Sequence, residues 1–439
     1  MKKIKGIITL LAGVLCCACS DTVMTDIEDS RASESEVNER LESAIAVAEQ
    51  MIRNVEGTGT RSTTSRNVRS IETLMPATRS SDGTQWYVVN YEDDKGFCIV
   101  TDAQVESPVA AFSEKGELDL SDIGVDSPIA TYLTALGYYG TDLFDDSESY
   151  EIPGDPAMYI PTGGIGGGDG GGLGIPGGGL IPNPGGGGLI PDPGIVPEQT
   201  IYITDPLIAE YVQEWGQSYP YNIFCPRQWN ATTEEYEHGL VGCSAIACGM
   251  VMSYYEWPNG YGDHKFKWDI VKTVKYVYGN DTSAQLLLYD LGKPECLNIK
   301  YGLEGSSASV DNFPTAFEKF NYYRPQWRDF KQSELVDHMY AKNPVIIVGT
   351  GTDYNDNNKE ICHAWVVDGY YIIKYNDCAD PSDPIGPKQA RYFHNIWGWY
   401  GSCNGYFRMP GEVVVNSAGV NHYYYKNLKT MSDFKIKSN

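Results

Sequence analysis

The stretch Val241-Gly-Cys-Ser-Ala-Ile-Ala-Cys-Gly-Met-Val-Met-Ser-Tyr-Tyr-Glu-Trp-Pro258 decides how the rest of this chain is read. Ile246, Met250, Val251 and Tyr254 recur at three- and four-residue steps, which predicts a helix with one buried face. Gly242 stands just before it, and Pro258 stops it at the far end. Cys243 therefore falls at the helix N-terminus, where unpaired backbone N–H groups and the dipole favour negative charge. A thiol placed there ionises more readily, and the thiolate is the nucleophile. The competing reading is a small apolar residue packed in a core. The rest of the chain decides between them.

Downstream, the chain is dense in aromatic residues and carries all six of its histidines beyond Thr200. A thiol nucleophile needs a base, a group that orients the base, and donors for the oxyanion. His363 opens the run His363-Ala-Trp-Val-Val-Asp-Gly-Tyr370, a buried-looking strand that can hold a ring rigidly. Val345–Val348 reads as a short apolar strand, and Ala364–Ile373 as two strands joined by a turn at Asp368-Gly369. Tyr392–Trp399 and Gly405–Met409 continue the sheet, while Ile208–Trp215 and Phe313–Phe320 read as helices. One nucleophile-bearing helix followed by several strands gives an α+β class.

Upstream, residues 161–197 form the sharpest break in composition, with glycine runs punctuated by proline and Leu-Ile-Pro repeated at 180–182 and 189–191. So few side chains cannot build a core. No Gly-Lys-Ser/Thr follows, which excludes a phosphate-cradling loop. A flexible coil of about 35 residues would span roughly 30 Å, so the stretch is expected to be a cuttable tether between domains. Before it, a capping-box pattern, Ser33-Glu-Ser-Glu36, opens a helix striped by Val37, Leu41, Ile45, Ala48 and Ile52. A polar stretch, Gly57–Ser70, reads as a linker. Gln85–Tyr91 and Phe97–Thr101 read as a hairpin, Pro108–Phe112 as a third strand, and Ile129–Leu136 as a helix opened by Pro128. This small α+β domain carries no histidine.

The first residues read as a targeting segment. Lys2, Lys3 and Lys5 precede an apolar run, Ile7–Leu15, too short to span a bilayer. Leu15-Cys-Cys-Ala-Cys-Ser20 resembles a lipobox, with Ala18 before the cut and the lipid on Cys19, although Cys16 stands three places before Cys19 and the leucine one further back. A plain secretory signal is the alternative. Either way the chain is expected to be exported, and anchored at the cell envelope or surface only through a lipid, or released as a mature enzyme.

The net charge of −25 argues against nucleic acid as a partner. Eleven cysteines include three in the leader, Cys98, and seven from Cys225 onward. Setting Cys243 aside leaves six of those seven, an even number that export would permit to pair. No CxxC spacing marks a zinc site, and no metal or organic cofactor is implied.

Four segments in register resemble the streptopain family of papain-like cysteine peptidases. They are Trp215-Gly-Gln217 with Pro220-Tyr-Asn222; Gly242-Cys243 with Trp257-Pro258; His363–Tyr370; and Phe393-His-Asn-Ile-Trp-Gly-Trp399 with Asn404-Gly-Tyr-Phe-Arg408. The loop Tyr301–Ser309 looks like the family's glycine- and serine-rich segment, and Trp86–Asn90, Gly96–Val100 and Pro108–Phe112 look like its inhibitory propeptide. The resemblance implies a papain-like catalytic domain at 198–439, a propeptide-like domain at 20–160, a linker at 161–197 and a signal at 1–19.

It also implies roles: Cys243 as nucleophile, His363 as general base and then acid, Gln217 as oxyanion donor, and Trp397 as a wall of the site. The family usually places asparagine directly before this tryptophan, where Ile396 stands here. A one-residue shift in a strand turns a side chain to the other face, so either a bulge restores Asn395 as the orienter of the histidine or that role is lost. The expected function is a zymogen of a secreted or surface-anchored cysteine endopeptidase that acts on proteins or peptides and is inhibited by its own propeptide. The alternatives are a catalytically weak homologue serving as a binding or inhibitory lipoprotein, and a cell-wall amidase or transpeptidase.

Overall fold

A computed structural model describes residues 34–56, 66–74, 84–121 (save 104 and 106), parts of 123–136, 199–273, 281–353, 359–375, 389–409, 414–417, 420–423 and 426–437. The expected leader with Cys19 and the tether 161–197 lie outside the described residues. Among the described residues, no helix is long and apolar enough to cross a membrane.

Eleven strands form one sheet. They are β1 (Val68–Leu74), β2 (Trp86–Tyr91), β3 (Phe97–Thr101), β4 (Val109–Ser113), β5 (Gln199–Thr204), β6 (Trp327–Asp329), β7 (Val345–Asp353), β8 (Lys359–Tyr375), β9 (Gln389–Ile396), β10 (Gly405–Arg408) and β11 (Lys426–Met431). Their order is β1-β2-β3-β4-β10-β9-β8-β7-β11-β6, with β5 also paired to β8. Every one of these pairings is antiparallel. The two ends of the chain thus share a sheet, joined where β4 meets β10 through Phe112 opposite Tyr406 and Ala111 opposite Phe407.

Two sequence expectations change here. Val68–Leu74, whose first part was read as linker, is the edge strand β1, paired along β2. Its residues alternate in burial only weakly, which is why a polar edge strand looks like linker in sequence. The second change is at Asp368-Gly369, which is no turn: β8 runs unbroken for 17 residues, and its register with β9 slips between Val367 and Gly369. The slip has a consequence for packing. Before it, Ala364 and Val366 share one core while Trp365 and Val367 share another. After it, Tyr370 and Ile372 join the core of Trp365, and Tyr371 and Ile373 enter a third. A one-residue bulge reassigns every following side chain to the other face, so one strand serves three cores.

Five of the helices packed into those cores position the site and its surroundings. α1 (Glu34–Val55) packs Ala44, Ala48, Met51 and Ile52 against Phe112, Tyr371, Tyr392 and Tyr406. The nucleophile helix α2 (Cys243–Tyr255) is buried on all sides from Ser244 to Ser253 rather than along one stripe. It shares its core with Ile346, Val348, Ala364 and Val366 of the sheet, with α3 (Ser283–Leu291) and with α4 (Phe313–Lys319). α5 (Gln332–Tyr340) covers the opposite face through Leu335, Val336 and Met339. A helix enclosed on all sides shows no amphipathic period, and its N-terminus is fixed by everything around it.

Candidate active site

Gly242 opens α2 with φ +89, a left-handed conformation that costs glycine little and any residue with a Cβ more. That turn brings Cys243 to the first helical position, partly exposed at a cleft of about 410 Å³. His363 and Ala364 line the same cleft, together with Ser306, Ser307 and Ala308 of the serine-rich loop. The loop is pinned there because the Ser306 hydroxyl donates to Leu240 O at 2.6 Å. Cys362, Lys429, Trp327 and Val348 also line the cleft, and nothing in their sequence context singles them out. Their neighbours across the sheet lie far away in sequence, so only the fold brings them to the site.

His363 is buried, and its Nε2 lies 2.9 Å from the carbonyl oxygen of Trp397. A carbonyl can only accept, so Nε2 carries the hydrogen and Nδ1 keeps its lone pair, available for a proton. Among the described residues, no hydrogen bond joins the Cys243 thiol to this ring. Dense packing pushes the Cys243 thiol above its usual value, although the N–H of Ala364 and the hydroxyl and N–H of Ser244 pull the other way. Burial also pulls the His363 imidazole down to about 4, against the opposing pull of the Trp397 carbonyl. Desolvation outweighs the helix N-terminus here, so thiol and imidazole are both neutral at pH 7. This differs from the early ionisation that the helix N-terminus alone predicts.

Gln217 sits beside the Gly242 turn because the Val241 N–H donates to Gln217 O at 2.8 Å. The same loop is clamped by Tyr400: Ser218 N–H donates to its hydroxyl at 3.0 Å, and the hydroxyl donates to Tyr219 O at 3.0 Å. A Cβ on Gly216 would stand 2.3 Å from the Tyr400 ring, so only glycine lets the two segments meet. Trp397 is held at both ends, its N–H donating to Asn404 Oδ1 (3.1 Å) and its indole to Cys403 O (2.9 Å).

Asn395 does not reach the histidine. Its Oδ1 accepts the indole N–H of Trp365 at 2.8 Å and its Nδ2 donates to Phe393 O at 2.6 Å. Ile396, at the family's asparagine place, belongs to the core around α2. The atom that holds His363 is therefore a backbone carbonyl, which no side-chain motif announces.

The disulfide expectation changes for four of its six cysteines: Cys225, Cys248, Cys296 and Cys403 are free thiols, as are Cys98 and Cys243, while Cys378 lies outside the described residues. Among the described residues, no three His, Cys, Asp or Glu side chains converge as a metal site requires.

A family model described as Peptidase C10 family matches residues 215–286 and 280–407, and one described as Spi protease inhibitor matches 34–133. Residues 215–407 thus match the peptidase C10, or streptopain, family. The two matches place an inhibitor-type region before a C10 peptidase-type region. Among curated relatives, the thiol protease/hemagglutinin PrtT of Porphyromonas gingivalis is 22% identical over 250 residues, covering 48% of this chain and 24% of the relative. Streptopain of Streptococcus pyogenes is 23% identical over 255 residues, covering 48% of this chain and 58% of streptopain. A solved prointerpain A fragment of Prevotella intermedia is 16% identical with a TM-score of 0.47, over 84% of this chain and 98% of that one. Active wild-type interpain A is 18% identical with a TM-score of 0.37, over 52% and 94%.

Proposed function

We propose that this C10 chain is an exported zymogen of a cysteine endopeptidase. The observation that carries the reading is the cleft shared by Cys243, at the start of a buried helix, and His363, whose Nδ1 is free to take a proton. In the proposed reaction the thiol proton passes to Nδ1 as Sγ attacks the scissile carbonyl carbon. The Cys243 N–H and the Gln217 side-chain amide donate to the oxyanion. His363 then protonates the leaving amine, and water attacks the thioester to free the acid and regenerate the thiol. Trp397, whose side chain lies in the core rather than along the cleft, supplies the carbonyl that orients the imidazole.

The N-terminal region is proposed as an intramolecular inhibitor, released by cutting within 161–197, and Cys19 as the lipid anchor of the precursor. Its docking through β4 on β10 supports an inhibitor that acts through the sheet behind Trp397, because none of its described residues lines the cleft. The neutral thiol and imidazole are consistent with a latent form.

The test is intact mass over time for the precursor from residue 20, beside its Cys243→Ser variant, under reducing conditions. Shortening within 161–197 in the wild type alone supports the reading. If neither form shortens, and thermolysin nicking before Leu180 or Leu189 exposes no thiol for a peptidase-directed inhibitor, the binding-protein alternative replaces it.

A further inference from the structure

The loss of the family's asparagine leaves one question about the imidazole: what keeps its plane. The Trp397 carbonyl fixes one atom, Nε2, but a ring held at one point can still swing about that bond. The second restraint is Trp365, two residues further along the same face of β8. Its indole lies nearly parallel to the His363 ring, at 13° and 6.2 Å between centroids. Trp365 is itself 1% exposed and tilted against Trp397 at 5.5 Å. Its only polar atom, Nε1–H, is spent on Asn395 Oδ1 at 2.8 Å. Asn395 is fully buried, and its amide is fixed in turn by the Phe393 carbonyl.

We propose that Trp365 is a positioning residue for His363 and that Asn395 serves the site through it, by locking the plane on which the imidazole rests. The inference deepens the peptidase reading and rests on it. Two physical effects follow from the geometry. A rigid plate limits the swing of the ring, which keeps Nδ1 aimed along one line. The negative face of an indole also favours the imidazolium that forms when His363 takes the thiol proton. An asparagine moved one place along the strand thus acts at one remove, from the face that also carries Trp365, instead of donating its oxygen to the histidine.

The experiment uses the full chain, activated by tether cleavage, with active sites counted by a thiol-directed peptidase inhibitor. Rates per counted site are measured against pH on a fluorogenic peptide for wild type, Asn395→Leu, Trp365→Phe and the double variant. Asn395→Leu should lower kcat about tenfold, the scale of one buried hydrogen bond, with KM within about twofold. The acid limb of its kcat/KM profile should move, which a loss of folded enzyme alone would not produce. Trp365→Phe keeps a ring but has no N–H for Asn395, so adding Asn395→Leu to it should cost less than about twofold more. An unchanged kcat and pH profile in Asn395→Leu would overturn the proposal, as would an equal loss in both backgrounds. If Asn395→Leu yields no folded chain, Trp365→Phe alone must move the acid limb, and an unmoved limb overturns it. A wild type with no countable thiol removes the peptidase reading itself, and this inference with it.

Discussion

Phe112→Ala in the N-terminal region should loosen its hold on the peptidase part by a calculable amount. Phe112 is fully buried where β4 pairs with β10. Its ring stacks on Tyr406 (5.1 Å, 9°) and meets Tyr371 (5.5 Å, 81°) and Tyr392 (5.7 Å, 62°) edge-on. Such pairs contribute about 0.5–1.5 kcal/mol each, so the three contacts sum to about 1.5–4.5 kcal/mol. A buried Phe→Ala change costs about 3–5 kcal/mol in all, which leaves part for the N-terminal fold itself. At 1.4 kcal/mol per tenfold, the dissociation constant of the nicked complex should rise roughly 10- to 1,000-fold.

Polar contacts that remain, among them Asn54 to the Tyr371 hydroxyl (3.0 Å) and Ser107 to the Tyr392 hydroxyl (2.6 Å), should keep the docking geometry. The assay nicks the tether with thermolysin, which cuts before apolar residues such as Leu180 and Leu189, and follows release of the N-terminal fragment by size-exclusion chromatography over a dilution series. A cycle with Tyr406→Leu separates the stacking from general destabilisation, with an expected coupling of about 0.5–1.5 kcal/mol. A coupling indistinguishable from zero, or release of the variant at the wild-type concentration, would refute the argument that these rings hold the inhibitor in place.

Alkylation of Cys243 in the uncut precursor, read by peptide mass spectrometry, should be slow at pH 7 and climb steadily past pH 9, because burial holds the thiol above its usual value; fast labelling at pH 6 would contradict this. Asp368→Asn should cost about 3–5 kcal/mol in denaturant unfolding, since Asp368 is fully buried and its carboxylate accepts from His394 Nδ1 (2.6 Å) and the Ile208 N–H (2.8 Å). Burial would lower the His394 imidazole, but Asp368 carries it above the usual 6.5, so the pair's stabilisation is full below that pH and fades as pH rises through the raised value; a wild-type stability that instead grows from pH 6 to 8, beyond that of the Asn variant, would sink the assignment. Gly242→Ala should lower stability by roughly 1–2 kcal/mol, because φ +89 must be kept to bring Cys243 to the cleft; an unchanged melting temperature would show that the turn can relax.

What the sequence by itself determined are the features whose physics is local. The start of α2 follows from Gly242 and a run of helix-forming apolar residues, α1 from its stripe, and β2 and β3 from two β-rich runs around a short loop. The residue types for thiol chemistry are written there too, as is the family, because its motifs are short and fixed in spacing. What only the tertiary structure decided are the features that depend on partners distant in sequence. Asp368-Gly369 is a turn by local preference, yet Asp368 is taken by His394 and the Ile208 N–H, and β8 continues through a bulge. Asn395 looks like the partner of a histidine until Trp365 claims its oxygen, and the carbonyl that does hold His363 has no side-chain signature at all. The thiol, favoured for ionisation by its place on the helix, is kept neutral by the packing around it. Local spacing names the groups, but desolvation and hydrogen-bond partnership are sums over neighbours that only the folded chain assembles.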